Sequence, residues 1–373
     1  MSRQQRVAVI GGGYAGVTAA NRLAASLTPG ERTSIKVTLY TATPAFIERI
    51  RLHEFAAGSR DSAEVAYGSL LREDIEVVAG RVVRIDSTRR TLVVADWTSE
   101  EAFDYLVYAT GTVTTPPPGA LAVGDPDGAC AIRARLADAG DGSLVVVIGG
   151  GATGVETAAE IAQRHPRLTT ILVCRDGPLP TLPEKTRLRV RSGLERLGVR
   201  IVGTGVAETM TPAVTVWAGT PAASPLARDS RLPTDEHGRL LVDETLRCPA
   251  EPSVFGAGDA VHIPESVGAH LRPSCAAAIP LGGHAADCVL AALRGQPGTS
   301  VDVGFMLQCY SLGRRDGVVQ FVRPDDSPRR LRLSGGLAAR VKETICKMTV
   351  DGVRKEGVKP HSYPTPKGPK VRP

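Results

Sequence analysis

A chain of 373 residues exceeds one ordinary hydrophobic core and, at about 100–200 residues per domain, implies two or three domains. With 42% hydrophobic and 23% charged residues it is not a disordered chain, and 4% aromatics beside 40 glycines argue against a base-stacking nucleic-acid platform. The net charge of +6 is uneven, because 15 Lys/Arg face only 7 Asp/Glu from Val301 onward, so the basic character belongs to the C-terminal part.

The first apolar run, Val7 to Ile10, is too short for a signal-peptide core and leads directly into glycines. RVAVIGGGYAGVTAANRLAA (6–25) reads as a buried strand, a tight turn and an amphipathic helix. The same pattern returns as LVVVIGGGATGVETAAEIAQ (144–163). Gly11, Gly13 and Gly16 form one GxGxxG, and Gly149, Gly151 and Gly154 form the other. The first Gly permits the turn, the second lets a pyrophosphate reach the backbone, and the third lets helix and strand pack closely. Free N–H groups at each helix start then suit phosphate. A lone GxGxxG in a Gly-rich chain is weak evidence, but two copies that each follow a strand and open a helix are far more specific.

Second strands follow at KVTLYTATP (36–44) and TTILVCRDGP (169–178). Between the repeats, alternating stretches from Ile75 to Gly111 predict a small sheet returning to the main one, and TVTTPPPGA (112–120) predicts a hinge. Toward the C-terminus, GFMLQCYSL and GVVQFV read as strands. Leu337, Ala338, Val341, Ile345 and Met348 recur at helical spacing as one buried stripe, with Arg340, Lys342 and Lys347 largely off it. That stripe packs on its own sheet or on a partner in a homodimer. Its basic residues give at most weak peripheral membrane contact. The last fifteen residues hold five Pro, four Lys/Arg and no acid, which predicts disorder. No uninterrupted apolar run approaches the roughly 18 residues of a membrane span. Seven widely spaced cysteines form no CxxC pair, zinc spacing or disulfide framework, so no metal site is expected and a reducing cytoplasm fits.

Four elements in order, VIGGGYAG, YLVYATG (105–111), VIGGGATGVE and VFGAGDA (254–260), resemble the two-dinucleotide-binding-domain flavoproteins of the pyridine nucleotide-disulfide oxidoreductase superfamily. The resemblance covers nearly the whole chain and points to the type II NADH dehydrogenase and apoptosis-inducing-factor-like branch, to which FIERIRLHEFAAG (46–58) is also similar. It implies an α/β fold of two Rossmann-like dinucleotide-binding domains and a small C-terminal α+β domain. The FAD domain would comprise residues 1–117 and 241–297, the inserted NAD(P) domain 118–240, the interface domain 298–358, and a basic tail 359–373.

By the same resemblance, FAD is bound at Gly11, Gly13, Tyr14, Ala15, Gly16, Thr41, Val82, Ala109, Thr110, Gly111, Gly258 and Asp259, with Arg49 or Arg51 near its phosphates. NADPH or NADH is bound at Gly149, Gly151, Thr153, Gly154 and Arg175. Arg175 suits the 2′-phosphate of NADPH and Gly154 suits NADH, so both nucleotides stay open. Glu156, read as lying in the first turn of its helix, resembles the carboxylate beside the nicotinamide, and His53 is a candidate for tuning or protonating the flavin. Each also has a plainer reading: Glu156 as a carboxylate favoured by the helix dipole, His53 as a packed or exposed side chain.

Three departures matter. A Cys pair of the disulfide-reductase kind is absent, which excludes disulfide relay. SCAAAIPLGGHAAD (274–287) lacks the Gln of the quinone-site pattern, which argues against quinone as acceptor. Thr41 stands where a carboxylate usually accepts from the adenosine ribose, a weaker contact. The reading is an FAD-dependent NAD(P)H oxidoreductase that passes electrons to a small-molecule acceptor, without nucleic acid. Its alternatives are a pathway flavoenzyme oxidising an organic substrate with O₂, and a redox-sensing flavoprotein with a basic C-terminal region.

Overall fold

The computed structural model describes residues 4–207 and 210–370. Two parallel five-stranded sheets organise it. Strand β1 (Gln5–Ile10) is followed by helix α1 (Tyr14–Ser26), β2 (Ile35–Thr41), the short helix α2 (Leu52–Ala56), β3 (Glu76–Ala79) and β4 (Tyr105–Tyr108). The second sheet is built from β5 (Leu121–Ala122), β6 (Leu144–Ile148) with helix α3 (Ala152–Arg164), β7 (Thr169–Val173), β8 (Arg200–Val202) and β9 (Val214–Trp217). The chain then returns to the first sheet as β10 (Val254–Gly256) and continues into helix α4 (Cys275–Leu293). The orders are β10-β4-β1-β2-β3 and β5-β9-β6-β7-β8, with Val7 opposite Val37 and Tyr105, and Val147 opposite Leu172 and Val216. All second-sheet strands thus lie in sequence between two neighbouring strands of the first. Strands covered on both faces explain the near-continuous Val/Ile/Leu runs. Helices α1 and α4 pack together on the first sheet, where Gly282 lies against the Ala15 backbone. Helix α4 is long and apolar enough to cross a membrane by length and composition, but two-thirds of it is buried inside the molecule.

The remaining layer holds β11 (Leu307–Ser311), β12 (Gly317–Val322), β13 (Pro328–Ser334) and helix α5 (Gly336–Val358). Two corrections arise here. Strand β13 was not foreseen, because PRRLRLS is almost wholly exposed and offers no buried alternation. Helix α5 runs ten residues past Met348, the last residue of the stripe read from sequence, and its buried face is a different one. Ala338, Cys346, Thr349, Val353 and Glu356 are buried, whereas Leu337 and Met348 point outward at 58% and 51% exposure. Lys342, expected off the stripe, is turned inward.

A third correction concerns the basic tail, which was expected to be disordered. Residues 359–370 lie along the body. His361 N and Tyr363 N donate to the buried Glu356 carboxylate at 3.1 and 2.6 Å, Gly304 N donates to Pro366 O, and Gly368 N donates to Asp302 Oδ1 at 2.7 Å. Glu356 also takes the Arg22 guanidinium, which reaches Asp287 as well. A buried carboxylate must be saturated in this way, and the tail supplies the backbone donors. Residues 371–373 lie outside the described residues.

Candidate active site

The two GxGxxG turns have near-identical geometry. Gly11 has φ +112° and Gly149 φ +136°, a region that L side chains avoid, and a Cβ on either would press against the backbone of Ala109 or Ala218. A Cβ on Gly13 or Gly151 would instead meet no atom within 4 Å. Each turn is therefore an open backbone cradle at the start of a thirteen-residue helix without a side-chain cap, the arrangement that fits a pyrophosphate. A bound FAD and a bound nicotinamide nucleotide both suit these cradles.

Between the two turns lies a cavity of about 540 Å³. The first repeat contributes Tyr14 and Ala15, the segment before and within α2 contributes Arg49, Ile50 and His53, and the loop after β4 contributes Ala109, Thr110 and Gly111. Asp259 enters from the turn after β10, and Ala152, Thr153 and Glu156 enter from α3. The structure thus brings together ten of the residues singled out from sequence. Gly258, at φ +79°, holds the Asp259 turn against Ala15. Asp259 accepts from Ser274 N at 3.2 Å; burial pushes its carboxyl pKa up, opposed by Ser274 and Arg49. The Arg49 guanidinium, its pKa lowered by burial, donates to Thr112 O at 2.9 Å. Tyr14 Oη, Thr110 Oγ1 and His53 Nε2, on residues that line the cavity, are themselves buried without a geometric hydrogen-bond partner among the described residues.

Other expected residues lie elsewhere. Arg51 is 1% exposed and faces away, held by Glu54 at 2.9 Å and Glu343 at 2.6 Å; it is a structural ion cluster, not a phosphate ligand. Val82 is buried in a small antiparallel sheet opposite Val94 and does not line the cavity. Thr41 is also off the cavity, its hydroxyl 2.9 Å from Tyr67 Oη, which in turn donates to Gly12 O. Arg175 is exposed beside the second turn, paired with Asp176 at 3.1 Å.

Glu156 lies in the second turn of α3, not the first, and the helix end is not what stabilises it. Its Oε1 accepts from Ser311 N at 2.8 Å and Ser311 Oγ at 3.1 Å and pairs with Lys342 Nζ at 3.1 Å. Burial opposes its ionisation, but Lys342, His53 and Ser311 together bring its pKa below the ordinary value. Lys342 is likewise held charged, since burial is outweighed by Glu156. Burial pushes the His53 pKa down, only partly countered by Glu156, Glu54 and Glu160.

Sequence reasoning missed the far wall. Gln308 and Cys309 from β11, Lys342, Ile345, Cys346 and Thr349 from α5, and Cys275 at the start of α4 all line the cavity. Burial raises the Cys275 thiol to about 11 and Cys346 to about 12, so both are protonated and poorly nucleophilic. Widely spaced single cysteines carry no signal that they converge. Among the described residues no group of three His, Cys, Asp or Glu is placed to hold a metal ion.

Residues 5–213 match the family described as pyridine nucleotide-disulphide oxidoreductase, more than half of the chain. The chain belongs to that family. An NADH dehydrogenase-like protein of Mycobacterium tuberculosis is 29% identical over 91% of this chain and 92% of its own length. Among solved structures, NDH2 of Plasmodium falciparum in complex with NADH has TM-score 0.77 at 14% identity, covering 98% of this chain and 99% of that one. The sulfide:quinone oxidoreductase of Aquifex aeolicus has TM-score 0.77 at 17% identity, covering 96% and 93%. This member of the pyridine nucleotide-disulphide oxidoreductase family is thus similar to NADH dehydrogenase-like proteins and is an NAD(P)H-dependent flavoprotein oxidoreductase with Rossmann-like nucleotide-binding domains.

Proposed function

We propose that the enzyme binds FAD at the first repeat, takes a hydride from NADPH or NADH at the second, and passes electrons to a small-molecule acceptor. The observation that carries this reading is the single cavity lined by the helix starts of both GxGxxG repeats, Tyr14 and Ala15 on one side and Ala152 and Thr153 on the other. The FAD part would be residues 1–117 with 241–297, the NAD(P) part 118–240, and the C-terminal layer 298–358. Bound flavin supplies the redox chemistry, accepting a hydride and releasing electrons. The chain supplies placement. The Gly13 cradle, Asp259 and Arg49 hold the flavin, and the Gly151 cradle and Thr153 hold the nucleotide. The Glu156–Lys342 pair sets a fixed local field between them.

The acceptor enters from the wall of α5 and β11, which is thiol-rich and carries Gln308. Gln308 there is not the residue missing from 274–287, but its amide N–H suits a carbonyl-bearing acceptor such as a quinone. The outward Leu337, Met348 and Val358 with Lys347 and Lys355 give weak peripheral lipid contact to a protein working in the cytoplasm. Anaerobic mixing of the purified yellow protein with NADH or NADPH tests the reading: the flavin absorbance bleaches within seconds and returns on adding the acceptor. A flavin that neither nucleotide bleaches would favour an O₂-dependent oxidase of an organic substrate instead.

A further inference from the structure

A second cavity, of about 1010 Å³, opens where the loop after α2, the β11–β12 turn and the first half of α5 meet, and it shares only Lys342 with the catalytic cavity. Its lining carries five Lys or Arg and three Asp or Glu. Most of these charges are already matched. Glu54 takes Arg51, Arg60 and Arg314, Glu343 takes Arg51, and Lys342 takes Glu156. Asp61 is fully exposed and 3.8 Å from Arg133. Arg315 and Arg340 are left over: neither guanidinium has an ion pair or a hydrogen bond among the described residues. In the same wall, at Gly336 and Ala339, helix α5 begins without a side-chain cap. Its backbone ladder starts with Ala339 N on Gly335 O, so the N–H groups before it lack acceptors.

Two unmatched cations on one wall, beside the positive end of a 23-residue helix, favour an anion between them. The guanidinium fork matches phosphate oxygens in pairs, and free N–H groups at a helix start suit the same group. No aromatic side chain lines the cavity, so nothing in it stacks a flavin, a nicotinamide or a nucleobase. What the cavity reads is the anionic group itself. We propose that it is a binding site for a small phosphate-bearing anion, held by Arg315, Arg340 and the opening turn of α5. The site is separate from both GxGxxG cradles and does not depend on what they bind.

The test is calorimetric titration of the flavin-loaded protein with inorganic pyrophosphate at fixed ionic strength, in the Gly151→Val background so that the second cradle does not compete. Binding is saturable, and the added pair Arg315→Ala, Arg340→Ala weakens it by about tenfold or more, the loss of charge-assisted hydrogen bonds. Both side chains are exposed, so that variant keeps its melting temperature. Arg315→Lys with Arg340→Lys keeps the charge without the fork and recovers part of the affinity. Arg329→Ala with Arg330→Ala, on the exposed strand β13, leaves it unchanged. Equal affinity with and without Arg315 and Arg340, or an equal loss in the β13 variant, overturns the proposal, because the ion is then adventitious or drawn by net charge alone. A lipid headgroup offers the same phosphate chemistry. If vesicles containing a phosphoinositide are retained through Arg315 and Arg340 while soluble pyrophosphate is not bound, the small-anion assignment is overturned as well.

Discussion

The two GxGxxG repeats have the same local geometry and different surroundings. Gly11 N donates to Tyr40 O and Gly149 N to Val173 O, so Thr41 corresponds to Cys174 and Ala42 to Arg175. In the first repeat the strand end is closed: Thr41 is 2% exposed and locked by Tyr67 against Gly12. In the second it is open, with Arg175 84% exposed. The helices differ in the same sense. Thr18, which occupies in α1 the place of Glu156 in α3, donates back to Tyr14 O at 2.7 Å within its own helix. Glu156 reaches out to Lys342 on α5. One copy is closed at its strand end and bonded within its own helix, whereas the other is open there and bonded to the C-terminal layer.

Exchanging the cradles gives the largest contrast. Gly13→Val and Gly151→Val both enter open space, so both variants fold with near wild-type melting temperatures. Gly13→Val purifies colourless, whereas Gly151→Val keeps its flavin and is no longer bleached by NAD(P)H. Equal flavin content in the two variants would erase the division of labour. Next comes the outward carboxylate. Lys342→Met leaves Glu156 buried and unpaired, at a cost of about 3–5 kcal/mol in urea denaturation, whereas Thr18→Ala costs only about 1 kcal/mol. Because the folded-state pKa of Glu156 is depressed, its contribution is complete above the ordinary value of 4.5 and disappears as pH falls through the folded value. That acid loss is missing from the double variant Glu156→Gln, Lys342→Met.

Arg175→Ala raises the dissociation constant for NADPH relative to NADH by about 1–3 kcal/mol; an unchanged ratio places the exposed end outside the nucleotide site. The smallest effect is at the outer face of α5. Sedimentation with anionic liposomes shows weak binding at low salt, roughly 1 kcal/mol for each basic residue that reaches the surface, and none at high salt. Retention at high salt would mean that Leu337, Met348 and Val358 insert.

Both repeats were legible because glycine spacing and β-branched runs are local signals that depend on backbone geometry alone. The facing wall was not, because its residues are joined only by tertiary packing. Lys342 looks like any surface lysine until Glu156, 186 positions earlier, is set beside it. The apolar stripe of α5 misled for the same reason: its inward face carries Lys342 and Glu356, and ion pairs inside a protein have no hydrophobic period. Arg51 was misplaced because a cation near a nucleotide motif and a cation inside an ion cluster look alike in sequence.

Helix α5 touches both repeats. Lys342 meets α3, and the carbonyl of Val353 accepts from Asn21 Nδ2 of α1 at 2.9 Å, with Glu356 on Arg22 of α1 one turn further. At 1.5 Å and 100° per residue, Lys342 and Glu356 are about 21 Å apart along the axis, with their bearings fixed to each other. Inserting or deleting a single residue between them would turn one anchor about 100° away from its partner and leave a buried charge alone. The segment therefore works as a fixed-length gauge: point substitutions on its outer face are tolerated, while any change in its residue count is not.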